Sequence, residues 1–182
     1  MRFERIVENG RLWAAIYEEG GENALDRVLS QWNDYEWLWS FFTKHIDDLA
    51  TYFHITDIDR AVFDTVDDAY GLECLIMDLA EDANMDELFR PLENTRMSEM
   101  MLGREKAKGR SHAHASWLRL YAIRLESGRY IITGGAIKLT PTMQEREHTL
   151  KELDRLNRVR NFLISSGVFD YNGFAEYNEE NA

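Results

Sequence analysis

With 182 residues, 45 % of them hydrophobic and 12 % aromatic, the chain can bury one substantial core and is too apolar for an intrinsically disordered protein. Its lone cysteine, Cys74, excludes a disulfide framework and a cysteine-based metal site; with no signal peptide after Met1-Arg2-Phe3 and no apolar run of roughly 18 residues, a cytoplasmic protein without a membrane span is expected. The net charge of −12 is uneven, with −15 over residues 1–89, +7 over residues 90–160 and −4 over the last 22, so only the second half would draw an anion.

Phe3–Val7 and Leu12–Tyr17 read as two strands around Glu8-Asn9-Gly10, whose Asn-Gly pair signals a hairpin. Leu25, Val28, Leu29 and Trp32 then recur at helical spacing, and after Asn33-Asp34 a second helix carries Leu38, Phe41, Phe42, His45, Ile46, Leu49 and Phe53. A third helix begins near Thr56 and runs past Leu79. Beyond Phe89-Arg90-Pro91-Leu92 the pattern is irregular until Trp117–Leu125 and Tyr130–Leu139, two strands joined at Glu126-Ser127-Gly128-Arg129. Thr142 and Glu145 have capping-box spacing ahead of a basic amphipathic helix with Leu150, Leu153, Leu156, Val159 and Leu163. The pattern predicts a single α+β domain over 1–182. It consists of a hairpin (1–17), a helical part (22–82), a sheet and helix (85–165) and a disordered tail (176–182). Its architecture would be an antiparallel sheet with the N-terminal helices packed on it and a C-terminal amphipathic helix.

The residues suited to chemistry cluster in the basic half: Arg104, Lys106, Lys108 and Arg110, then Arg119, Tyr121 and Arg124 on one strand, and Lys138 at the end of the next. Strand alternation puts Arg119 and Tyr121 on one face and Leu118, Leu120 and Ala122 on the other. With Lys106, Lys108 and Lys138 nearby, four cations could line one surface and bind a phosphodiester. Metal-free RNA cleavage needs an activated ribose 2′-hydroxyl, a stabilised phosphorane and a protonated leaving 5′-oxygen, tasks that clustered cations and a phenol can share. Each of these residues also reads as ordinary surface charge or sheet-edge packing. His112 and His114 could face the same way as metal ligands, but spacing identifies no third ligand, and no cofactor is expected. Tyr35, Trp37, Trp39, Phe41 and Phe42 surround their helix, which points to burial in the core or against a partner. Gly134-Gly135 lacks the context of a phosphate loop.

Lys106-Ala107-Lys108, the strand Trp117-Leu118-Arg119-Leu120-Tyr121-Ala122-Ile123 and Gly135-Ala136-Ile137-Lys138-Leu139-Thr140 carry a resemblance. Over residues 85–165 the chain resembles the RelE/ParE/HigB superfamily of type II toxin–antitoxin toxins, with its Lys-x-Lys, its Arg-x-Tyr strand and its Gly-Phe-x-Lys-Lys-Thr ending. Leu139 stands where the family has its second lysine, and the acidic first half has no counterpart. The resemblance implies an mRNA endoribonuclease associated with the ribosome, needing no metal and neutralised by a cognate antitoxin. Arg119 and Lys138 would contact the scissile phosphate, Lys106 and Lys108 the 2′-hydroxyl or backbone, and Tyr121 would be structural or orient a base. Arg104, Arg110 and Arg124 are the further candidates for RNA contact. The competing expectation is a non-enzymatic module that binds a protein through the acidic, aromatic-rich N-terminal half.

Overall fold

The computed structural model describes residues 1–18, 21–82, 84–93 and 101–182. The opening hairpin pairs β1 (Arg2–Arg5) antiparallel to β2 (Leu12–Ile16), with Phe3 opposite Ala15. Gly10 in its turn lies at φ 71°, a conformation that costs a residue without Cβ little, and the Asn9 amide donates to the Ala80 carbonyl at 2.7 Å.

Asn23 caps α1 (Ala24–Trp32) by accepting from the Asp26 amide at 2.9 Å, and Asp34 caps α2 (Tyr35–Lys44) by accepting from the Trp37 amide at 3.0 Å. The helix expected to continue to Phe53 breaks at His45, which closes α2 and opens α3 (Ile46–Phe53). Tertiary contacts account for the break. The His45 ring packs against Phe41 and His148 at 4.5 and 4.9 Å, and Asp48 takes both a 2.7 Å and a 2.6 Å hydrogen bond from Arg146. Asp57, rather than Thr56, accepts from the Arg60 amide at 3.1 Å at the start of α4 (Ile58–Asp82).

The remaining strands are β3 (Phe89–Pro91), β4 (Gly103–Lys108), β5 (Leu118–Glu126) and β6 (Arg129–Ile137). The six strands lie in the order β1-β2-β6-β5-β4-β3. The fold is α+β, but the sheet is mixed and not antiparallel throughout, because β2 runs parallel to β6 with Trp13 opposite Ile131. A parallel pair needs a long crossover, and everything from α1 to β5 supplies it. Burial of Leu12, Trp13, Ala14 and Ala15 on both faces of β2 suits this interior place.

The Thr142–Glu145 capping box closes a 3₁₀ turn over Met143–Glu145, and α5 (Glu147–Ser165) follows. The tail expected to be disordered over 176–182 is helical through Glu180 in α6 (Tyr171–Glu180). Asp170 caps α6 by accepting from the Gly173 amide at 2.8 Å, and Phe174 is fully buried, edge-on to Trp13 at 5.0 Å and to Phe3 at 5.2 Å. Phe174, with Tyr171 under Arg129 and Tyr177 against Phe162, thus orders a segment whose composition is otherwise polar. Among the described residues no helix is long and apolar enough to cross a membrane.

The N-terminal helices and the C-terminal helices take opposite faces of the sheet. Leu118, Leu120, Ala122 and Ile132 pack with Val28, Leu38, Val62 and Leu72 from α1, α2 and α4. Tyr121, Ile123, Leu125 and Ile131 pack with Leu156, Val159, Leu163 and Phe174 from α5 and α6. Glu105, on the first of these faces, is a buried carboxylate whose Oε2 has no hydrogen-bond partner among the described residues. Burial pushes its carboxyl up to about 7, against the pull of Arg124. The folded state therefore holds a proton that the unfolded chain releases in the ordinary carboxylate range, and stability falls as pH rises from that range to about 7. Glu105→Gln is expected to raise the melting temperature at pH 8, by the equivalent of about 1–3 kcal/mol, and to leave it unchanged near pH 4. Thermal melts at the two pH values check this.

Candidate functional site

Register assembles the site. In the β4–β5 ladder Lys106 is opposite Tyr121 and Lys108 is opposite Arg119, and in β5–β6 Arg119 is opposite Ala136. Residues directly opposite share a face, and alternation adds Arg104 two residues before Lys106. Past the end of β6 the Lys138 amide still donates to the Trp117 carbonyl at 2.7 Å, so Lys138 keeps the parity of Ala136 and joins the same face. Three neighbouring strands thus deliver Arg104, Lys106, Lys108, Arg119, Tyr121 and Lys138 to one cleft of about 410 Å³. Leu92 and Glu93 line it on one side, and Pro141, Thr142, Met143, Gln144 and Leu153 on the other.

The cations are positioned largely by neutral oxygens. Arg119 Nη1 donates to the carbonyls of Ser116 (2.8 Å) and Leu118 (2.9 Å), Lys138 Nζ to that of Pro141 (2.7 Å) and Lys106 Nζ to that of Leu92 (2.9 Å). Arg104 is bonded to Asn157 Oδ1 at 2.9 Å and paired with Glu93 at 2.6 Å. Burial lowers the proton affinity of Lys138, and Arg119, Lys106 and Lys108 lower it further; burial, Lys108 and Arg119 do the same to Lys106. Arg119 is also lowered by burial. Tyr121 is only 1 % exposed, its hydroxyl has no hydrogen-bond partner among the described residues, and burial drives it well above the ordinary phenol range. The cleft therefore holds crowded positive charge beside a protonated phenol with a free donor, and a bound anion would relieve both costs.

Two arginines of the expected set do not join. Arg124 is an odd number of residues from Arg119, so it lies on the opposite face, 3.4 Å from Asp86 Oδ2. That carboxylate also accepts from Ser127, Gly128 and Tyr130; burial alone would raise it, yet these bonds hold it at about 2. Arg110 lies beyond β4, exposed and outside the cleft lining. His114 is held in packing: it stacks on Trp117 with ring centroids 3.9 Å apart, and its Nε2 lies 3.0 Å from Asp64 Oδ2. No group of three or more metal-ligating side chains converges among the described residues. Gly134 serves packing, since a Cβ there would lie 1.9 Å from Glu152 Oε2. Sequence reasoning did not assign Leu92, Met143, Gln144 or Leu153 to the site; long-range packing brings them to the cleft.

No protein-family model, curated protein or solved structure matches the chain.

Tyr121→Phe separates the two sides of this balance. Removing the unsatisfied hydroxyl is expected to stabilise the anion-free protein, by about 1–3 kcal/mol at most, and to reduce the further stabilisation given by sulfate over chloride at equal ionic strength. Arg119→Ala is expected to abolish the sulfate effect. Thermal melts in the two salts measure both.

Proposed function

We propose that the cleft binds the RNA backbone and cleaves it without a metal, as a RelE/HigB-like endoribonuclease acting on mRNA in the cytoplasm, in association with the ribosome, and held inactive by a cognate antitoxin. The observation that carries this reading is the convergence of Lys106, Lys108, Arg119 and Lys138 in one cleft with the Tyr121 hydroxyl, which has no hydrogen-bond partner among the described residues. Arg119 and Lys138 clasp the scissile phosphate and stabilise the phosphorane. Lys106, whose ammonium is disfavoured by burial and by its cationic neighbours, takes the proton of the ribose 2′-hydroxyl. The 2′-oxygen bonds to phosphorus and the bond to the 5′-oxygen breaks. Tyr121, held protonated by burial, gives its proton to the leaving 5′-oxygen and regains one from the ammonium of Lys106 opposite it. Lys108 holds the adjoining backbone. The products are a 2′,3′-cyclic phosphate and a 5′-hydroxyl, and the atoms balance without water or metal.

Because a lysine base works as the neutral amine, cleavage is expected to rise with pH until Lys106 has lost its proton. Lys106→Arg keeps the charge permanently and is expected to lower the rate by about 10²–10⁴-fold while RNA still binds. The decisive comparison is induced expression of the wild type beside an Arg119→Ala, Lys138→Ala variant at matched soluble level, with RNA ends mapped. Growth arrest and cyclic-phosphate ends confined to the wild type support the reading. Equal growth and identical RNA ends contradict it.

A further inference from the structure

A second surface, away from the cleft, has the opposite chemistry. Leu38 and Phe42 bury one side of α2, while Tyr35 and Trp39, one turn apart, are 50 % and 49 % exposed. On α4, Phe63 and Tyr70, two turns apart on one stripe, are 59 % and 67 % exposed. Tyr35 and Phe63 meet edge to face at 5.8 Å, which joins the two stripes into one aromatic patch. Four large aromatics left half in water on adjacent helices exceed the scattered exposure usual on a surface. The core needs none of them, since Leu38, Phe42, Val62 and Leu72 already fill the space beneath.

Charge specifies what would cover the patch. Asp59 and Asp67 lie one turn before and after Phe63 and are exposed, as are Asp34 and Glu36 beside Tyr35. Residues 22–82 hold 15 acidic side chains against three basic ones, Arg27, Lys44 and Arg60. Arg27 is engaged with Glu152, Lys44 lies in the last turn of α2, and Arg60, beside Phe63, lies 3.6 Å from Asp64, so Asp34, Glu36, Asp59 and Asp67 leave the rim anionic on balance. An aromatic centre with an anionic border complements a helix that is apolar on one side and basic on its flanks. It repels nucleic acid, and a second copy of the same acidic patch as well.

We propose that the Tyr35–Trp39–Phe63–Tyr70 patch is a docking surface for a basic amphipathic helix of another protein. The cleft opens on the α5 side of the sheet, so a helix seated here leaves it accessible. The surface does not depend on the reading of the cleft as a nuclease site.

A 14-residue helical peptide of leucine and lysine, with its apolar residues on one side, serves as the probe, and a leucine–glutamate peptide of the same pattern as the control. Titration calorimetry of the full chain is expected to show saturable 1:1 binding of the lysine peptide and none of the glutamate peptide. Tyr35→Ser with Phe63→Ser is expected to weaken binding at least about 10-fold, as for loss of central aromatic anchors. Asp59→Lys with Asp67→Lys is expected to weaken it and flatten its salt dependence, both variants keeping the wild-type circular dichroism. Unchanged affinity in the Tyr35→Ser, Phe63→Ser variant, equal binding of the glutamate peptide, or a wild-type dimer that Phe63→Ser dissociates would each overturn the proposal.

Discussion

Lys108 and Arg119 face each other directly across the β4–β5 ladder, with Lys106 and Lys138 on the same face. Like charges opposite one another weaken a sheet, and here the neighbouring cations lower the proton affinity of Lys106 and Lys138 on top of burial. Arg119 and Lys138 lean on backbone carbonyls, and Glu93 pairs with Arg104 at the rim. The sheet keeps the cations together because both its faces are buried under helices and its register cannot slip without turning Leu118 and Leu120 out of the core. Concentrated positive charge in a chain of net charge −12 is thus a local property of three paired strands.

The same separation of faces divides the molecule by chemistry. Glu105 and Arg124 sit on the sheet face under α1 to α4, where Asp86 gathers Arg124, Ser127, Gly128 and Tyr130. The α5 face carries the cleft. Arg27 of α1 nonetheless reaches Glu152 of α5, which is also bonded to Arg155, and Arg146 at the start of α5 clasps Asp48 of α3. These ion pairs tie the acidic helical part to the helix that walls the cleft.

Much of this was legible in the sequence. Both hairpins follow from their turn residues, and the parity of Arg119, Tyr121 and Lys138 follows from strand alternation. The same alternation places Arg124 on the opposite face, so grouping it with Arg119 on proximity in the sequence was an avoidable error. β4 was hidden because Arg104, Glu105, Lys106 and Lys108 put polar residues on both its faces, leaving no apolar alternation to read. The parallel β2–β6 pair was hidden because pairing partners over 100 residues apart leave no local signal, although the unbroken apolar run Leu12–Ala15 marks an interior strand. α6 turned on the buried ring of Phe174 and the contacts of Tyr171 and Tyr177 within a polar segment. The far wall of the cleft, from Pro141 to Gln144, depends on where a 3₁₀ turn packs, and no residue pattern announces that.

Lysine NMR tests most directly whether the cleft takes a phosphodiester. The chain has five lysines, and three of them, Lys106, Lys108 and Lys138, line the cleft, while Lys44 and Lys151 do not. Reductive methylation with a ¹³C label keeps their charge and makes each one visible during titration with a 2′-O-methyl RNA trinucleotide, which cannot be cleaved. The expected result is saturable shifts at Lys106, Lys108 and Lys138, with the proton affinity of Lys106 and Lys138 rising as the phosphate enters, and no change at Lys44 or Lys151. Equal, unsaturating shifts at all five lysines, or none at the three in the cleft, would contradict it.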